Sequence, residues 1–217
     1  MNRLLRLLAL VLTLGVCTAS YAADTNEKPH FGVRLQYDMN KSTTLSNLVS
    51  WGPGVSIGAI YYAPFKNIAY FNAGLLFGYD TFKYNGTAEY NSTSTTVDGY
   101  LYTTGLKLPI QVGVNFINKE NLKISLYTGP QLYFNFGFRG HFDRKVSSME
   151  HIDTGYKNSG MEIAWAFGAA ADIHRHWHVH FDANFGLSNI GMIDDLNPRE
   201  LIHLKRTELS VGLGYNF

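Results

Sequence analysis

Side chains along an extended chain point alternately to opposite faces. A run in which every second residue is apolar therefore commits that run to a sheet with one apolar side. This chain repeats the pattern along almost its whole length and shows nearly no helical period. In 209–217 the odd positions are Leu, Val, Leu, Tyr and Phe, and the even positions Ser, Gly, Gly and Asn. The same alternation recurs in 31–38, 54–62, 70–80, 100–116, 122–139, 162–173 and 178–187. The connections alternate between tight (64–68, 117–121, 174–177) and long, polar ones (39–53, 83–98, 140–160, 188–205). Eight antiparallel strands joined in this way predict an up-and-down meander closed into a barrel.

The composition of the second face decides which side is the core. A soluble sandwich or barrel buries its apolar face and presents a charge-rich face to water. Here the second face is crowded with Gly, Ala, Ser and Asn. Only 16% of residues are charged, and 14% are aromatic. Aromatics also mark both ends of the apolar faces: Phe31, Tyr61, Phe71, Phe116 and Tyr215 toward the tight turns, and Tyr37, Tyr79, Tyr100 and Phe136 toward the long loops. Two such girdles fit two membrane interfaces. The fold class predicted is all-β: an eight-stranded antiparallel up-and-down transmembrane β-barrel, with short periplasmic turns, long extracellular loops and outer-membrane lipid around it. Residues 1–22 read as a secretory signal peptide, with Arg3 and Arg6 before the apolar stretch 7–16 and Ser20-Tyr21-Ala22 at the cleavage site. That leaves 23–217 as the barrel, without the single Cys, so disulfides cannot hold it together. A net charge of +1 excludes the basic excess of a nucleic-acid binder. The reading predicts a monomer.

The run Leu106-Lys107-Leu108-Pro109-Ile110, the pair Gly129-Pro130 and the segment Gly212-Leu213-Gly214-Tyr215-Asn216-Phe217 resemble the porin-family or PorT-like eight-stranded outer-membrane barrels of Gram-negative bacteria. The resemblance implies that Leu213, Tyr215 and Phe217 form an assembly signal read by the barrel-assembly machinery. Some relatives take part in type IX secretion. Pro109 and Pro130 lie inside alternating runs, and their missing N–H groups predict a bulge at each.

The inward positions gather Arg34, Asp38, Lys107, Lys123, Arg139, Glu162, Asp172, Asp182, Arg206 and Glu208. Eight strands enclose only enough room for side chains, and buried charges must pair. A balanced salt-bridge network filling the lumen is expected. In the run 174–180 four His occupy every second position, and His178 and His180 share parity with Asp182. Such a set suits a transition metal, but His174 and His176 fall in the predicted tight turn, where the face rule fails; a polar, partly aromatic periplasmic turn is the preferred reading, and no metal or other cofactor is predicted. No His falls on a lipid-facing strand position, and His141, His151 and His203 lie in loops; no enzyme is predicted. Three roles follow: a structural or surface-interaction barrel whose loops bind an extracellular ligand, a narrow channel or transport accessory such as a secretion component, and, last, a lipid-A-modifying enzyme.

Overall fold

The computed structural model describes residues 28–217 apart from 44–48, 66–67, 91–92, 120, 146–148, 159–160, 189 and 195–200; the predicted signal peptide lies outside the described residues. Eight strands form the barrel: β1 (His30–Ser42), β2 (Gly52–Phe65), β3 (Ala69–Tyr90), β4 (Thr93–Lys119), β5 (Leu122–Lys145), β6 (Met161–Ile173), β7 (Trp177–Gly186) and β8 (Arg206–Asn216). Each pairs antiparallel with its neighbours in the chain. β8 then returns to β1, from Gly32 opposite Asn216 to Ser42 opposite Arg206. Among the described residues the result is a closed eight-stranded antiparallel barrel. Closure removes sheet edges, which could not be satisfied in hydrocarbon.

The exterior is apolar. Along β1, Phe31, Val33, Leu35, Tyr37 and Met39 are exposed, while Arg34, Gln36, Asp38, Asn40 and Ser42 are buried. β8 repeats this, with Val211, Leu213, Tyr215 and Phe217 outward and Arg206, Glu208, Ser210 and Asn216 inward. At the short-turn end Phe31 packs on Tyr61 (ring centres 5.0 Å apart), and Trp177 and Phe217 flank Tyr215 at 5.6 and 5.5 Å. Tyr37, Tyr79, Tyr100 and Phe136 are exposed at the other end. Phe71, expected in the lower girdle, is instead only 6% exposed, between Ala63 and Val112 on the neighbouring strands.

Three further expectations are corrected. First, much of the predicted long loops is strand. β3 and β4 stay paired from Tyr79–Thr104 out to Tyr90–Thr93. Beyond β5, the strands Met149–Asn158, Ile190–Asp194 and Leu201–Leu204 extend the sheet in turn. Polar residues on both faces erase the alternation outside the lipid, yet Thr and Tyr still favour strands.

Second, neither proline makes a bulge. Pro109 pairs with Gln131 and Pro130 with Trp165. Pairing lapses beside each, between Ala73–Ile110 and Leu76–Lys107 and between Pro109–Gln131 and Val112–Thr128, with register kept. A missing N–H interrupts a ladder without requiring an extra residue. The bulges lie elsewhere: β5 has one extra residue between Asn135 and Phe138, opposite Gly105 and Thr103, and β4 has one between Asn115 and Ile117.

Third, Arg139, expected in the lumen, is exposed rather than buried. The β5 bulge holds Gly137 at φ 146°, with its carbonyl accepting from Thr103 Oγ1 at 2.7 Å. One extra residue reverses the face of every residue beyond it.

A barrel closed by hydrogen bonds between its first and last strands should unfold as a unit. We expect a sheet-dominated far-UV circular dichroism spectrum, and faster gel migration before boiling than after. A helical spectrum would be incompatible with this architecture.

Candidate functional site

The lumen is filled by side chains. At its upper level Lys107 on β4 stands at the centre, its Nζ donating to Asp38 Oδ2 (2.8 Å), Asp80 Oδ1 (3.0 Å) and Glu208 Oε2 (2.7 Å). Carboxylate oxygens of these three residues, from β1, β3 and β8, lie within 4.8 Å of one another. That spacing would suit a cation, and the Lys107 ammonium occupies it. Beside it Arg206 donates through Nη1 to Asp80 Oδ2 at 2.5 Å and stands 3.1 Å from Glu162 Oε2 through Nε. Its guanidinium lies over Tyr133, 4.5 Å from the ring centre, and 5.3 Å from that of Phe82.

Neutral groups complete the level. Ser56 Oγ and Gln36 Nε2 donate to Asp38, Asn40 Nδ2 to Asp80, and Tyr133 Oη and Asn184 Nδ2 to Glu208. With Ser56 on β2, Tyr133 on β5, Glu162 on β6 and Asn184 on β7, every barrel strand contributes to one network. Burial removes hydration from each charge, and only dense pairing of this kind offsets that cost.

A lower level lies toward the short turns. Arg34 Nη2 donates to Asn216 Oδ1 at 2.7 Å, Asn216 Nδ2 to Asp172 Oδ1 at 3.1 Å, and His178 Nδ1 stands 2.7 Å from the same oxygen. Between the levels, a cavity of ≈ 40 Å³ is bordered by Tyr70, Tyr127, His178, His180 and Asp182, among others. That is room for a very few water molecules. His180 Nε2 is 3.6 Å from Asp182 Oδ2. The other two histidines of the run, His174 and His176, are exposed in the turn after β6, where His174 and Arg175 adopt positive φ (51° and 66°).

The expected lumen residues thus divide. Asp38, Lys107, Glu162, Arg206 and Glu208 meet at the upper level, and Arg34 and Asp172 at the lower one, with Asp182 beside the cavity. Lys123 sits apart from the upper level: it is half-buried near the short-turn end, opposite Asp172 and Asn118 across the ladders. The expected balance of signs also changes. At the upper level four carboxylates face two cations among the described residues. Asp80, which bridges both cations, is absent from the sequence-based set. It follows the outward Tyr79, so strict alternation places it inward, but the predicted strand ended there. Leu213, Tyr215 and Phe217, the expected assembly signal, lie together on the lipid face at the end of β8.

An apolar exterior belted by aromatics around a charged, hydrogen-bonded interior defines a transmembrane barrel of the outer membrane. The chain belongs to the outer membrane protein beta-barrel domain family, whose sequence profile matches residues 9–217, and its location is the outer membrane. Among solved structures it is similar to Ail, the attachment invasion locus protein of Yersinia pestis (11% identity, 87% of this chain and 97% of that one, TM-score 0.39). It is also similar to Neisserial surface protein A (13% identity, 88% and 100%, TM-score 0.41) and a major outer membrane protein from Thermus thermophilus (11% identity, 88% and 100%, TM-score 0.46). No curated protein matches the sequence.

Proposed function

We propose that this small outer-membrane barrel serves surface interaction: the membrane part is a rigid, plugged anchor, and the part beyond the outer girdle binds an extracellular ligand. The observation that carries this reading is the rise of the strands past the lipid. From Tyr79–Thr104 to Tyr90–Thr93 the β3–β4 ladder continues without a break, which amounts to roughly 36 Å of strand. The order Leu201–Leu204, Ile190–Asp194, Met149–Asn158, β5, β4, β3 makes a continuous projecting sheet. A paired sheet presents a preformed surface, which lowers the entropic cost of binding compared with loose loops. The crossing of the lumen by Lys107, Arg206 and Tyr133, all at most 2% exposed, weighs against a channel. The type IX secretion role suggested by the PorT-like resemblance has no separate observation behind it, and neither has lipid-A modification. The same reading takes the protein as a non-enzymatic monomer in outer-membrane lipid, with Leu213, Tyr215 and Phe217 read by the barrel-assembly machinery and 1–22 removed on export.

Removing 86–97, which cuts the β3–β4 hairpin back at the Gly86–Val97 pair, should leave the heat-dependent gel shift intact. Binding of whole cells to arrayed extracellular proteins and glycans should fall to the level of a deletion strain. Unchanged binding by the shortened protein, or steady porin-like conductance of the intact barrel in planar bilayers, would sink the reading.

A further inference from the structure

The lipid face of the barrel is not evenly covered. On the outward side of β3 to β6 one rung of the sheet reads Ala69–Val114–Leu126–Ala169, and the rung above it Phe71–Val112–Thr128–Phe167. Alanine at both ends of the lower rung leaves a hollow of ≈ 670 Å³ between Phe65 and Phe167, walled by Val112, Val114 and Leu126. Thr128 is the polar side chain on this face of the hollow, and it is already engaged: its Oγ1 donates to the Ala166 carbonyl at 2.8 Å and accepts from Trp165 Nε1 at 2.7 Å. We propose that the hollow seats an acyl chain of an anionic phospholipid of the periplasmic leaflet, whose headgroup lies on Lys119 and Arg175 at the short-turn rim.

Depth selects the chain and the leaflet. Val114 and Val112 stand two and four residues above the girdle residue Phe116, roughly 7 and 14 Å along the strand. In an apolar band about 25 Å tall that places the hollow in its lower half, among the tails of the periplasmic leaflet. Its volume falls in the range of roughly 300–1,000 Å³ common to small-molecule sites. A chain lying between Phe65 and Phe167 touches protein on more than one side, and those added contacts are what a flat stretch of the same wall does not give.

Charge selects the headgroup. Side chains of 28–30, 64–68, 117–121 and 174–177 supply four cations, Lys28, Lys66, Lys119 and Arg175, against Glu120 alone. The long segments at the opposite end, 39–53, 83–98, 140–160 and 188–205, carry seven cations against eight carboxylates. The positive excess is thus confined to the short-turn end. Lys119 and Arg175 are exposed there, in two turns tied by a backbone bond from His174 N–H to the Asn121 carbonyl at 3.0 Å. β4 and β5 run down from the hollow into the turn that carries Lys119, so one lipid reaches both features.

Trp165 pairs with Pro130 one rung above Phe167 and reports on the upper end of the hollow. The test uses the full barrel with Trp51→Phe and Trp177→Phe, which leaves Trp165 as the only tryptophan. It is placed in phosphatidylcholine nanodiscs containing increasing fractions of chain-brominated phosphatidylglycerol or chain-brominated phosphatidylcholine, and quenching of Trp165 is measured. Brominated phosphatidylglycerol should quench saturably at a severalfold lower fraction than brominated phosphatidylcholine. Lys119→Gln and Arg175→Gln should each reduce that preference about fivefold or to nothing. Ala69→Phe and Val112→Phe, which fill the hollow from different strands, should abolish it while keeping the heat-dependent gel shift. Equal quenching by the two lipids in the wild type would overturn the proposal. A preference that survives in whichever of the filled variants folds, or in both cation variants, would overturn it as well. None of these outcomes bears on the surface role, which rests on the projecting sheet.

Discussion

Lys107→Met should leave the barrel unable to refold under conditions that fold the wild type. The substitution keeps the length and apolar stem of the side chain but removes the one ammonium within 3.0 Å of Asp38, Asp80 and Glu208. Those three carboxylates then face one another across less than 4.8 Å, in a space closed to water. Breaking one buried ion pair costs about 3–5 kcal/mol, and here one cation serves three partners. Arg206 cannot substitute for it, since it is already engaged by Asp80 and Glu162. Chemical unfolding in detergent micelles, followed by the gel shift, measures the loss. The change should exceed that of Ser94→Ala, on the projecting hairpin, by several kcal/mol. Calcium should partly restore Lys107→Met, because the vacated oxygens form a hard, anionic cage, and it should do nothing for the wild type. A variant within about 1 kcal/mol of wild type would show that the network does not brace the barrel.

Gly129→Val should be almost as damaging, for a steric reason. A Cβ at Gly129 would lie 2.2 Å from the Ile110 carbonyl oxygen and 2.8 Å from the Gln111 Cα. Both are backbone atoms of β4, which cannot move aside without distorting the barrel wall. This is where pairing beside Pro130 lapses, so the Gly-Pro pair marks a point at which β4 and β5 approach side by side without a regular ladder. Overpacking of this kind costs about 1–3 kcal/mol in a core that can relax, and more is expected against a closed sheet. Gly137 supplies the contrast. A Cβ there meets nothing within 4 Å, and its difficulty is only φ 146°, so Gly137→Ala should fold with a smaller loss. If Gly129→Val proved milder than Gly137→Ala by unfolding midpoint, close approach would not be the reason for the glycine.

The alternation of Phe31, Val33, Leu35 and Tyr37 with Arg34, Gln36 and Asp38, repeated from strand to strand, was enough to specify an inverted barrel. A period of two is a property of a single strand and needs no partner to be read. The order of short and long connections likewise carried the meander, and parity alone placed Arg206 and Glu208 inside. Anything that depends on pairing between strands was out of reach of the sequence. Lys107 meets residues 27 and 101 positions away, and Arg206 meets Asp80 across 126; only closure and stagger bring these to one height. Strand pairing also took Arg139 out of the lumen, because one extra residue near Gly137 shifts the strand's phase, and kept Pro109 and Pro130 in register. It left Lys123 apart from the upper network and drew Asp80 into its centre. It extended β3 and β4 far beyond the lipid, where polar residues on both faces leave no periodic signal and only the partner strand holds the chain extended.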